Sequence, residues 1–275
     1  KEKHGLNAEV FELTQVMRQK QGGAILRNAH RVRESVISGR CLEFELKKAD
    51  GEVEEITAKG ALDLLEEDFR RSNGKSVFIT YSNAKALQFN QALRERLWNE
   101  ENPEIRTGDV LLVNRNDRKT GLCNGDLVRV VSVEPPTLPH TIHLKNIPDP
   151  VRLRFRNVRI AFPAEGSAED VVEHRVLILE NLLDSPERIL SALEQRALLV
   201  DFTNRHRDLK RGSKEFLLEL SQDPFFNALQ VKFGYAMTCH KAQGGEWERG
   251  VVNFEPRHPG QNRDFFRWAY TAITR

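Results

Sequence analysis

The stretch Ala236-Met-Thr-Cys-His-Lys-Ala-Gln-Gly-Gly-Glu-Trp247 holds the densest run of side chains able to do chemistry. Thr238, His240, Lys241, Gln243 and Glu246 all hydrogen-bond or carry charge, and Gly244-Gly245 marks a tight backbone turn. The run lies between two apolar, strand-like segments, where polar groups are costly unless something uses them. The chemistry on offer is hydrogen bonding and ion pairing to a bound partner. Cys239 and His240 are sequence neighbours, which usually diverge, so neither a nucleophile nor a metal ligand pair is expected there.

Other motifs fail on their own geometry. Gly74-Lys75-Ser76 supplies the last three positions of a phosphate-cradling Gly-x-x-x-x-Gly-Lys-Ser/Thr loop. The place of its first glycine is taken by Phe69, inside a helical pattern. Leu62 to Asp68 imitates an acidic strand end for magnesium, but its spacing is helical. His140 and His143 are three apart in a β stretch and face opposite ways. The sequence therefore carries no ATP site of its own and no metal site.

Strands and helices must position the polar run. Val10 to Met17 alternates as a strand and ends in Arg18-Gln19; Gly22-Gly23 opens a helix that closes near Gly39. Cys41 to Ile56 reads as a hairpin turned at Ala49-Asp50-Gly51, and Ala61 to Arg71 as a helix. Ser76 to Tyr81 is a short apolar run of the buried parallel kind. It leads through the N-cap candidates Ser82-Asn83 into a helix from Ala84 to about Asn99. Strand, polar turn and helix make half of a βαβ unit, so a parallel α/β sheet is expected.

From Arg106 to Pro163 the texture changes to short β runs, with a strong tight-turn signal at Asn124-Gly125. This reads as a small antiparallel barrel or sandwich set into the α/β domain. Beyond it come a strand at Val176 to Glu180, a helix from Pro186 to about Val200, and strands at Leu229 to Thr238 and Gly250 to Phe254. A helix covers Asp264 to Arg275.

The 275 residues carry 42 Lys and Arg against 40 Asp and Glu, a net charge of +2 that leaves any nucleic-acid footprint local. No apolar run approaches the ~18 residues of a membrane span, and no secretory h-region opens the sequence. Cys41, Cys123 and Cys239 are odd in number and far apart, which fits a reducing cytosol.

Four motifs in order carry a family resemblance. Thr238 to Glu246 resembles motif V of superfamily 1 helicases, nearest to the RecD-like exonuclease/helicase group. Leu13-Thr-Gln-Val-Met-Arg18-Gln19 resembles motif IV, and Tyr270-Thr-Ala-Ile-Thr-Arg275 resembles motif VI. Val77 to Asn83, with Asn90 and Arg94, is similar to the strand–helix segment after motif IV. Gly108-Asp109, Asn114-Arg-Asn116 and Gly121 to Asp126 resemble the start of the SH3-like insert of these helicases.

The resemblance implies a RecA-like parallel sheet with helices on both faces, interrupted by an SH3-like β-barrel insert. Residues 1–105 would be the first part of a second motor domain, 106–165 the insert, and 166–275 the second part. The sequence is expected to be cut at both ends, the first motor domain with its phosphate loop and Mg²⁺ carboxylate lying outside it. ATP with Mg²⁺ would be bound mainly by that absent domain. Arg18 and Arg275 would reach its γ-phosphate, Gln19 would assist, and Gly245 and Glu246 would face the nucleotide ribose. Thr238, His240, Ser82, Asn83, Asn114, Arg115 and Asn116 would contact single-stranded DNA. Implied partners are that strand, the first RecA-like domain and subunits of a helicase–nuclease complex.

Two basic stretches offer further phosphate contacts: Arg152, Arg154 and Arg156 on one strand face, and Arg205, Arg207, Lys210, Arg211 and Lys214 in a loop. The rival reading is a non-enzymatic single-strand-binding module in which the insert does the binding.

Overall fold

The computed structural model describes residues 22–41, 44–72, 76–163, 170–245, 247–254 and 262–274. The chain divides into two compact units. One holds the described residues up to Glu55 with those of 262–274; the other holds the described residues from Ile56 to 254.

In the first unit, α1 (Ala24–Ser38) starts after Gly23 and stops at Gly39, whose φ of 72° is the left-handed cap the sequence called for. Asn28 is buried, donating from Nδ2 to the Lys47 carbonyl (2.9 Å) and accepting the Lys47 N–H (2.8 Å), which pins the following segment to the helix. That segment is not the expected hairpin. A turn is closed by one bridge, Ala49 to Val53, because Asn28 takes the Lys47 backbone groups that a ladder would need. The other helix of this unit, Arg263–Ile273, is capped by Asn262 and buries Phe265, Phe266, Trp268, Ala269 and Ala272. Phe44 meets Phe265 and Phe266 edge-on at 5.0 and 5.7 Å.

The second unit joins a parallel sheet to a barrel. Strand β1 (Ser76–Thr80), buried throughout, lies between β9 (Ala236–Thr238) and β10 (Arg249–Val252), both parallel to it. The helices α2 (Ala58–Ser72) and α3 (Asn83–Trp98) pack against β1. Phe78 of β1 stacks on Phe89 of α3 at 3.6 Å. The mixed α/β class and the parallel sheet are thus as expected.

The barrel closes in the order β2 (Val110–Val113), β3 (Leu127–Val133), β6 (Phe155–Pro163), β7 (Val171–Leu179) and β8 (Leu229–Phe233). β7 and β8 lie beyond residue 165, so the β region draws on more of the chain than the expected insert. A separate pair, β4 (His140–Ile142) and β5 (Val151–Leu153), stands beside α4 (Ala192–Arg205). That helix begins later than expected, at a capping box of Ser191 and Glu194, and is followed by α5 (Lys214–Gln222).

The expected single strand Leu229 to Thr238 is broken at Gly234-Tyr235, so that β8 belongs to the barrel and β9 to the sheet. A Cβ at Gly234 would meet Leu127 Cδ2 at 2.8 Å, Val110 Cγ1 at 3.1 Å and the Leu111 carbonyl carbon at 3.2 Å, so a larger residue would have to displace its barrel neighbours. Asn90 of α3 holds the junction. Its Nδ2 donates to the Phe233 and Ala236 carbonyls (both 3.0 Å), and its Oδ1 accepts the Ala236 N–H (2.8 Å). Arg94 forks onto Asp109 at 2.9 and 3.0 Å and lies over the Phe233 ring, while Tyr235 Oη donates to Asp109 Oδ1 at 2.7 Å.

The candidate basic strand face is also revised. Leu153 and Phe155 belong to different sheets, so the alternation breaks, and Arg156 turns inward to pair with Glu180 (2.7 Å) and Glu104 (3.0 Å). Arg154 pairs with Asp184 at 2.7 Å. Burial pushes the Glu180 carboxyl up, against the pull of Arg156.

A candidate nucleic-acid interface at the strand ends

β1 and β9 run side by side and end level, Thr80 opposite Thr238. The carboxyl ends of parallel strands are where open α/β sheets take their ligands, because the loops leave the sheet there and helix N-termini point outward. Thr80 donates from Oγ1 to the Ser82 carbonyl at 2.8 Å, shaping the exit from β1. Ser82 then caps α3 by accepting the Lys85 N–H at 3.2 Å, the role its type suggested. Its hydroxyl is therefore engaged, and Asn83 opens the helix.

After β9 the chain coils tightly: the Lys241 and Ala242 N–H groups donate to the Thr238 carbonyl at 2.9 and 3.1 Å. This buries Cys239 and leaves His240 exposed. Farther along, Gly245 lies against the Trp247 indole so closely that an added Cβ would overlap the ring.

The barrel supplies the third side. Asn114, just past β2, is buried; its N–H donates to the Gln230 carbonyl (2.8 Å) and its Nδ2 to the Arg188 carbonyl (2.7 Å). Arg115 and Asn116 follow on the surface. Asn116 Oδ1 accepts the Asn124 N–H at 2.7 Å, and Lys241 Nζ donates to Asn124 Oδ1. The Asn124-Gly125 turn thus links the barrel loop to the polar loop after β9.

One narrow cleft results, lined by Asn83 and Ala86 of α3, Asn114, Lys232 of β8, Thr238 and Lys241. Of the expected strand-contacting residues, Asn83, Asn114 and Thr238 come together there. Ser82, Arg115, Asn116 and His240 are exposed in the segments that frame it. Arg18, Gln19, Glu246 and Arg275 lie outside the described residues.

The sequence reading did not select Lys232, and it named Lys241 only as part of the polar run. Burial lowers Lys232 to about 8, with Glu187 opposing and Lys241 reinforcing the shift. Lys241 is lowered too, first by burial and then by Arg188. Lys232 has no local signature, since it is one polar residue alternating on a strand.

Among the described residues no group of His, Cys, Asp or Glu is placed to hold a metal ion, and no helix is long and apolar enough to cross a membrane.

Residues 233–275 match the family UvrD-like helicase C-terminal domain. The match covers the β8–β9 junction, the polar loop, β10 and the last helix. No curated protein matches the chain. Among the solved structures that match is the crystal structure of Pif1 helicase from Bacteroides in complex with ADP-AlF3 and ssDNA. It aligns at 15% identity and a TM-score of 0.41, over 96% of this chain and 49% of that one. The chain thus spans about half the length of that structure.

Proposed function

We propose that the chain is the C-terminal motor half of an ATP-dependent DNA helicase or translocase of the RecD-like type, with its barrel an SH3-like insert. The observation that supports it best is the meeting of Asn83, Asn114 and Thr238, from three distant segments, in one cleft at the strand ends. The match of residues 233–275 to a helicase C-terminal domain agrees with it.

On this reading single-stranded DNA lies along Asn83, Asn114 and Thr238, with Ser82, His240, Arg115 and Asn116 beside it. Asn90 and the Arg94–Asp109–Tyr235 network keep the β8–β9 junction rigid, so that loop and barrel move together against the strand. Arg18 and Arg275 stabilise charge on the transferring phosphoryl oxygens, as arginine fingers do, with Gln19 assisting Arg18. Gly245 and Glu246 face the ribose of the nucleotide. ATP with Mg²⁺ is held mainly by the first motor domain. That domain and the subunits of a helicase–nuclease complex are the partners, and the cytoplasm is the compartment.

The test has two arms. The chain alone should bind oligothymidylate but show no DNA-stimulated ATP hydrolysis. In a polypeptide that also carries the first motor domain, Arg275→Ala should abolish turnover while nucleotide binding survives. Turnover by the chain alone, or unaltered turnover in the variant, refutes the reading.

A further inference from the structure

β6 and β7 pair along the full nine residues of each, from Phe155 opposite Leu179 to Pro163 opposite Val171, with no shift of register. On its other side β7 meets β8 only at Ile178 and Leu179. Among the described residues no strand pairs with that side of β7 from Val171 to Leu177, so the hairpin carries an open edge beyond its contact with β8.

Such an edge offers unpaired N–H and C=O groups to another strand, and proteins commonly blunt it with lysine, proline or a bulge. β7, Val-Val-Glu-His-Arg-Val-Leu-Ile-Leu, contains no lysine or proline, and its ladder with β6 is unbroken. The charges it carries, Glu173 and Arg175, are of opposite sign, so they need not repel a second strand. Alternation sets both on one face and Val172, His174 and Val176 on the other, where His174 stacks on Phe162 at 5.5 Å. Val171, at the end of the edge, is 64% exposed. Arg175 donates from Nε and Nη2 to Glu134 at 2.6 and 2.9 Å, and Glu173 lies 3.5 Å from Arg159. Both side chains stay about half exposed, and a guanidinium and a carboxylate each take more than one partner.

The edge is its own complement. Two copies of β7 laid antiparallel about a two-fold axis at His174 place Glu173 of each opposite Arg175 of the other. The same register sets Val172 opposite Val176 and Val171 opposite Leu177. Moving the axis by one residue sets Glu173 against Glu173, or Arg175 against Arg175, with like charges directly opposed. One register is thereby selected. We infer that the open edge of β7 is a surface through which two copies of this chain associate, the hairpin of one continuing into that of the other across a two-fold axis. A single edge strand buries little surface, so the dimer is weak and depends on concentration.

Sedimentation of the whole chain over a rising concentration series should show a reversible monomer–dimer equilibrium. Glu173→Arg and Arg175→Glu should each weaken it by about tenfold, because each turns attractive cross-strand pairs into repulsive ones. Mixed in equal amounts, the two variants should associate again, since every charge on one edge then faces its opposite on the other. That recovery separates a charge effect from a folding defect. In the native chain, every second backbone amide from Val171 to Val176 should gain protection from hydrogen exchange as concentration rises. A chain that stays monomeric throughout, association that both variants leave untouched, or variants that fail to associate when mixed would each overturn the proposal.

Discussion

The strand-end cleft and the cluster around α4 use the same residue types to opposite ends. At α4, Arg205 lies between two buried carboxylates, 3.0 Å from Asp201 and 2.5 Å from Asp223. His140 Nδ1 is 3.0 Å from Asp201, and Phe225 lies under the Arg205 guanidinium. Burial opposes the charge on Arg205, yet Asp223 and Asp201 hold its pKa above the usual value. At the cleft, Lys232 faces carbonyl oxygens and Lys241 the Asn124 amide oxygen, and both fall below theirs. A cation closed on carboxylates is part of the scaffold, whereas one left facing neutral oxygens is available to a ligand. By this measure Arg205 belongs to the scaffold rather than to a basic loop open to DNA, and Lys232 lines the cleft with its charge unpaired among the described residues.

The comparison can be broken at its rigid end first. Arg94→Ala would leave Asp109 buried without its partner and should cost about 3–5 kcal/mol in urea unfolding. Arg205→Ala should cost about 3 kcal/mol, since it strands both Asp201 and Asp223. In both variants, oligothymidylate affinity per folded molecule should be unchanged for Arg205→Ala and reduced for Arg94→Ala, which loosens the β8–β9 junction. Equal behaviour of the two would erase the distinction between scaffold regions.

The pH responses sharpen it. Burial opposes ionisation of Asp223, but hydrogen bonds from Arg205 and the Phe226 N–H bring its carboxyl below the ordinary value. Its stabilisation is therefore complete above an unfolded pKa of about 3.9 and is lost as pH falls through the lower folded value. Asp223→Asn should flatten the acid limb of stability. Lys232 has the opposite sign. Its charged form is disfavoured in the fold, so the cost persists below about 8 and is relieved as pH rises toward the unfolded value near 10.4. Across that alkaline window stability should rise by about 1–2 kcal/mol while strand affinity falls, and Lys232→Gln should remove both trends. The smallest effects belong to the neutral contacts: Thr238→Ala should weaken strand binding by about 1 kcal/mol, read by anisotropy.

What the sequence revealed was local. Ser82 as a cap, Gly39 as a helix end, Asn124-Gly125 as a turn and β1 as a buried strand each follow from neighbouring residues. What it hid was long-range. The break at Gly234 arises from Leu127 and Val110 across the barrel, and the inward turn of Arg156 from Glu104 and Glu180. Closure of the barrel by β7 and β8 depends on pairings such as Leu111 with Phe233, which no local pattern announces. Of the residues lining the cleft, Asn83, Asn114 and Thr238 are named by motifs, whereas Lys232 becomes visible only when β8 places it opposite Leu112 in the cleft wall.

Amide chemical-shift mapping of the chain with oligothymidylate tests the central claim most directly. The largest changes should fall at Asn83, Asn114, Lys232 and Thr238, with the His140–Asp201–Arg205–Asp223 cluster unmoved. Changes centred on that closed cluster, or none at the strand ends, would contradict it.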